Sequence, residues 1–110
     1  MARRATAYLA AASELLLTDL VLAETVFVLE SFYEVERVEL ASAMRSLLAM
    51  ESVVVLNASL LLRALEVYEL DRLDFAEAYL VACAEMSGVD AVASFDRSID
   101  RVATVQRIEP

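Results

Sequence analysis

Residues 74–101, DFAEAYLVACAEMSGVDAVASFDRSIDR, read as a helix, a glycine stop, a short apolar strand and an acidic turn opening another helix. Phe75, Ala78, Tyr79, Ala82, Cys83 and Met86 recur at helical spacing and predict an inward face over 74–87. Ser87-Gly88 ends that helix, glycine supplying the left-handed turn. Ala91–Ser94 predicts a strand, and 96–102 a turn or short helix. The unit carries three carboxylates of interest, Asp74, Glu77 and Asp96. Each has an ordinary explanation. Asp74 and Glu77 fit a capping box, and Asp96 stands where an N-cap belongs.

Upstream, residues 2–13 predict an alanine-rich helix and 14–18 a short covered strand. Thr18 or Asp19 can cap a helix over 20–34, where Leu22, Val26 and Leu29 form a stripe extended by Phe32 and Tyr33. Glu24 is out of place there, with Leu20, Val21, Phe27 and Val28 one turn away. A charge in apolar surroundings costs several kcal/mol unless it is paired, solvated or metal-bound. Residues 39–50 predict a helix with Leu40, Met44, Leu47 and Leu48 inward, and Val53–Leu56 the clearest strand. Asn57 or Ser59 caps a helix over 58–69, with Leu60, Leu61, Ala64, Leu65 and Tyr68 buried. Residues 104–108 predict a last edge strand. Strands alternate with helices, so the class is α/β with a mostly parallel sheet.

Length predicts one domain over 1–110. Apolar residues make up 60%, so much of the chain must be buried in the fold, in an oligomer or against a partner. One glycine and one proline disfavour an all-β fold. The net charge of −9, with no lysine or histidine, argues against non-specific nucleic-acid binding by bulk charge. A local arginine patch or a carboxylate-held cation could still engage RNA, and the charge suits a basic partner. The single cysteine, Cys83, reads as a small buried hydrophobe, and the lack of a disulfide framework suits a cytosolic setting. No apolar run is long enough to span a membrane. The start, MARRATAYLAAASE, reads as a helix with a basic first turn rather than a signal peptide.

In parallel α/β sheets, sites lie beyond the carboxyl ends of the strands. Asp96 falls there directly, and the helices place Asp74, Glu77 and Glu24 toward the same edge. Acids gathered at one edge repel one another unless a hard cation sits between them.

Three segments together resemble the PIN-domain family, the nuclease fold of VapC-type toxins: LVLAETVFVLES with Glu24, DFAEAYLVACA, and ASFDRSIDRV. The resemblance runs from about Leu15 to the end. It implies a PIN-like three-layer α/β/α fold with a mostly parallel central sheet. It also implies an acidic cluster binding Mg²⁺ or Mn²⁺, cleavage of RNA phosphodiesters, and a small antitoxin as partner. By this resemblance Glu24, Glu77 and Asp96 are metal ligands and catalytic acids, and Asp74 assists. Ser94 takes the hydroxyl position, and Asp100 is an accessory acid. Arg97 and Arg101 could contact the RNA backbone. Two features depart from the family pattern. Glutamate at 77 replaces the usual aspartate, and the family's first strand, with its essential aspartate, has no counterpart. About twenty residues are thus expected to be missing. The expected outcomes are a natural start further upstream, dimerisation over the gap, or direct closure of the flanking strands.

The leading expectation is therefore a cytoplasmic, metal-dependent endoribonuclease. A catalytically inactive, truncated module that binds an antitoxin or a second subunit is the alternative. A helical scaffold whose acids act only as caps leaves Glu24 unexplained.

Overall fold

The computed structural model describes residues 13–110. The helix expected over 2–13 lies almost wholly outside them. The described chain begins with β1 (Leu15–Leu16) and α1 (Asp19–Ser31), then α2 (Arg37–Leu48), β2 (Val53–Val54) and α3 (Ala58–Glu66). A π-helical turn (Val67–Asp71) follows, then α4 (Phe75–Ser87), β3 (Ala91–Ala93), a 3₁₀ turn (Arg97–Arg101) and β4 (Gln106–Ile108).

Local chemistry sets the boundaries. The Thr18 hydroxyl accepts from the Val21 N–H and the Asn57 amide oxygen from the Leu60 N–H, so α1 and α3 each start on a side-chain cap. Gly88 closes α4 at φ 71°, where a side chain is disfavoured. Arg72, also left-handed at φ 61°, ends the π turn. That turn interrupts what the sequence pattern reads as one helix over 58–69. Arg37 donates to the carbonyl of Tyr68 within the turn at 2.7 Å and to that of Leu73, two residues past it, at 2.6 Å. The same guanidinium lies 4.3 Å from the Tyr68 ring centre.

The core is helical. Leu22 and Val26 of α1, Leu40 and Met44 of α2, Leu61 and Leu65 of α3 and Val81 of α4 are buried around Tyr68. Each leucine among them contributes about 2 kcal/mol through burial. Arg63 of α3 grips Glu85 of α4 with two hydrogen bonds, 2.7 and 2.8 Å, pinning the two helices together. Several expected inward residues are not in the core: Phe32, Tyr33 and Met86 are exposed, and Cys83 is only half-buried. The first two lie beyond the end of α1, and Met86 sits at the surface, where its sulfur accepts from the Asn57 amide at 3.0 Å.

All strand pairing is parallel, and the class is α/β. Rather than one sheet, the described strands make two separate two-stranded ladders, β1 with β2 and β3 with β4. The register pairs Leu16 with Val54 and Ala93 with Ile108. Direct closure of the flanking strands, one of the expected outcomes, does not occur among these residues. The alternation of strand side chains leaves Leu16 and Val54 exposed on one face while Leu15, Leu17, Val53 and Val55 turn partly inward.

Candidate active site

The packing of α4 against β3 brings Glu77 beside the end of that strand. The Ser94 hydroxyl donates to Glu77 Oε2 at 3.0 Å and accepts from the Asp96 N–H at 3.0 Å. Asp96 Oδ1 in turn accepts from the Ser98 N–H at 2.9 Å, capping the 3₁₀ turn. One hydroxyl therefore ties the Glu77 carboxylate to the backbone of Asp96, nineteen positions away in the chain. Hydrogen bonding from Ser98, reinforced by the charges of Arg101 and Arg107, holds the Asp96 carboxyl below the usual aspartate range. Asp96 is thus an anion whenever the domain is near neutral pH.

The capping-box reading of Asp74 and Glu77 does not survive. Asp74 occupies the N-cap of α4 but its side chain makes no cap hydrogen bond, and Glu77 turns to Ser94 instead. Asp74 is exposed and keeps its carboxylate free of any hydrogen bond or ion pair among the described residues.

Glu24 is exposed too, and this removes the cost anticipated for it. It projects from the side of α1 opposite Leu22 and Val26. Its apolar neighbours Leu20, Val21, Phe27 and Val28 are themselves open to solvent, so the charge is hydrated. Among the described residues, no three acidic, histidine or cysteine side chains gather closely enough to hold a metal ion. The structure unites Glu77, Ser94 and Asp96 but does not bring Glu24 or Asp74 into that group.

The arginines divide. Arg97 is exposed beside Asp96. Arg101 is engaged, donating to the Arg72 carbonyl at 3.0 Å, where it helps close the π turn. Arg107, which the sequence reading passed over, donates to the Ser94 carbonyl at 3.2 Å and pairs with Asp100 at 3.2 Å. It thereby steadies the strand end that presents Ser94 and Asp96, and it occupies Asp100, the expected accessory acid. Its only sequence signal is a charge between Gln106 and Ile108 in the edge strand.

The PIN domain family model matches residues 1–105. The chain belongs to the PIN-domain family. Comparison with curated proteins and with solved structures gave no match. PIN domains have a nuclease-type fold, and this places the chain in a hydrolase class. They typically use divalent metals, and the donors present in this PIN domain fit such an ion in kind. Magnesium is held by one or two carboxylates, with water and substrate phosphate completing the shell. Glu77 and Asp96 each keep one carboxylate oxygen outside the hydrogen bonds above, which is donor chemistry of that kind. No helix among the described residues is long and apolar enough to cross a membrane.

Proposed function

We propose that this PIN domain is a metal-dependent endoribonuclease of the VapC toxin type, working in the cytoplasm and neutralised by a small antitoxin. The observation that carries the reading is the hydrogen-bonded set Glu77, Ser94 and Asp96 at the end of β3. A cap alone would need Asp96 but not a glutamate drawn across from another helix. Glu77 and Asp96 would hold Mg²⁺ or Mn²⁺. The ion, when bound, supplies a nucleophilic hydroxide at neutral pH and offsets charge on the phosphodiester. Ser94 fixes the direction of the Glu77 carboxylate, and Arg97, exposed beside Asp96, is the side chain free to meet an RNA phosphate. Glu24 and Asp74 join this set only if α1 and the start of α4 rearrange around bound RNA.

The test is cleavage of a fluorescent single-stranded RNA with Mn²⁺ and with a chelator. Glu77→Gln should reduce the rate by about 100-fold or more, since losing a metal ligand removes several kcal/mol of charge stabilisation. Cleavage that persists undiminished in chelator would sink the proposal.

The second reading, a catalytically inactive binding module, is favoured by one observation: no third acid among the described residues joins Glu77 and Asp96. Under the nuclease reading Mn²⁺ raises the melting temperature by binding the folded state, and Asp96→Asn removes that rise. Under the binding reading Mn²⁺ leaves the melting temperature unchanged, while an antitoxin peptide or a second subunit shifts it.

A further inference from the structure

A groove of about 290 Å³ lies between α1 and the start of α4. Val26, Phe27, Phe75 and Ala76 give it apolar walls, and Glu30, Ser31 and Asp74 set polar groups at its rim. It is separate from the Glu77 site: Phe75 and Glu77, two positions apart on α4, project about 160° apart at 3.6 residues per turn. The Tyr68 hydroxyl donates to Glu30 Oε2 and fixes that carboxylate at the groove. The Asp74 carboxylate, unlike its backbone carbonyl, takes part in no hydrogen bond or ion pair among the described residues. Two carboxylates therefore line one apolar cleft with no cation paired to either among those residues.

The chemistry narrows the occupant. A phosphate or nucleic acid is repelled by both acids. A bare metal ion would have to keep its waters against apolar walls that offer them no hydrogen bonds. A purely apolar group would bury the Asp74 carboxylate without a partner and strip water from Glu30. A guanidinium on a three-carbon stem satisfies each constraint. Its methylenes suit the apolar walls, its plane can stack on the exposed Phe27, and its N–H donors match the acceptors Glu30, Asp74 and Ser31 in the same lining. Phe27 is 62% exposed, and the apolar surface runs on to Leu20 along the same side of α1. That continuity suits a peptide chain lying across the helix rather than a free small molecule.

The geometry points to an arginine-binding groove between α1 and α4 that accepts the side chain of a basic partner protein. The inference does not depend on nuclease activity.

Titration of the ¹⁵N-labelled full chain with N-acetyl-arginine amide tests it, with the neutral isostere N-acetyl-citrulline amide alongside. The arginine probe should produce saturable amide shifts at Ala23, Ser31 and Ala76. Citrulline should produce none of comparable size. Asp74→Asn keeps the Glu30–Tyr68 bond and should weaken arginine binding about tenfold, the effect of one lost charge-assisted hydrogen bond. Glu30→Gln should weaken it as well. Equal shifts with citrulline, unchanged affinity in Asp74→Asn, or no saturable shift at these residues would overturn the assignment. Shifts confined to residues around Glu77 and Asp96 would do the same. The RNA assay reads a different set of residues, so failure of either idea leaves the other standing.

Discussion

Ser94 is the residue on which the candidate site turns, because its one hydroxyl is both donor to Glu77 and acceptor from the Asp96 backbone. Ser94→Ala should cost about 1–2 kcal/mol in urea unfolding, the worth of two partly buried hydrogen bonds. It should also lower RNA cleavage more than it lowers stability, since Glu77 loses its orientation. Equal activity in the variant would make Ser94 a spectator. Asp96 gives a pH signature. Its folded-state pKa lies below the value in the unfolded chain, so the unfolded state binds the proton more readily. The stabilisation is fully present above the unfolded aspartate pKa of about 3.9 and fades as pH falls toward the lower folded value. The melting-temperature gap between wild type and Asp96→Asn should therefore narrow as the solution is acidified below about pH 4. A gap that widened there would contradict the assigned direction. At this scale Asp96 was legible from its place after a strand. The role of Ser94 was legible only as a position, because its bond to Glu77 depends on how α4 settles against β3. The exposure of Glu24 was not legible, because helical periodicity alone does not show which apolar side of α1 faces the core.

Among the elements, the π turn over 67–71 decides where α4 begins, and so where Asp74 and Glu77 stand. Two arginines from distant segments close it. Arg37 binds the Tyr68 and Leu73 carbonyls, and Arg101 the Arg72 carbonyl. Arg37→Met keeps the length of the stem but loses both charge-assisted bonds and the contact with the Tyr68 ring. The expected loss is about 3 kcal/mol by urea denaturation. Arg37→Lys should recover only part of it: one nitrogen, Nη1, meets both carbonyls and an ammonium can imitate that, but lysine lacks the planar group laid over the Tyr68 ring. Indistinguishable stabilities for the wild type and both variants would mean that the turn holds without them. Capped starts at Thr18 and Asn57 and the stop at Gly88 could be read from residue type, since each rests on an interaction within four positions. The π turn could not, because Val67 to Asp71 has the composition of an ordinary helix end and its cause lies thirty positions away in Arg37.

For the whole molecule, parallel α/β organisation was legible from the alternation of elements, but division into two ladders was not. Strands of two or three residues leave too weak a pattern to fix which neighbours pair. The division has a consequence at the surface. Parallel strands are normally covered on both faces. Here the β1–β2 ladder buries one side against the helices and leaves Leu16, Val54 and, two positions further on, Leu56 exposed, the last at 84%. An apolar strip of this kind on a chain of charge −9 is what a second copy could cover, with each copy hiding the other's leucines. The expected outcome is a dimer by sedimentation velocity at micromolar concentration. Leu56→Glu should convert it to monomer without loss of helical circular dichroism, because Leu56 contributes almost nothing to the core of a single chain. A wild-type chain that sediments as a monomer, or a variant that stays dimeric, would move the partner to another face. Repulsion between two acidic subunits adds a further check. Raising salt should tighten the dimer by screening that repulsion, the opposite of what an interface held by ion pairs would show.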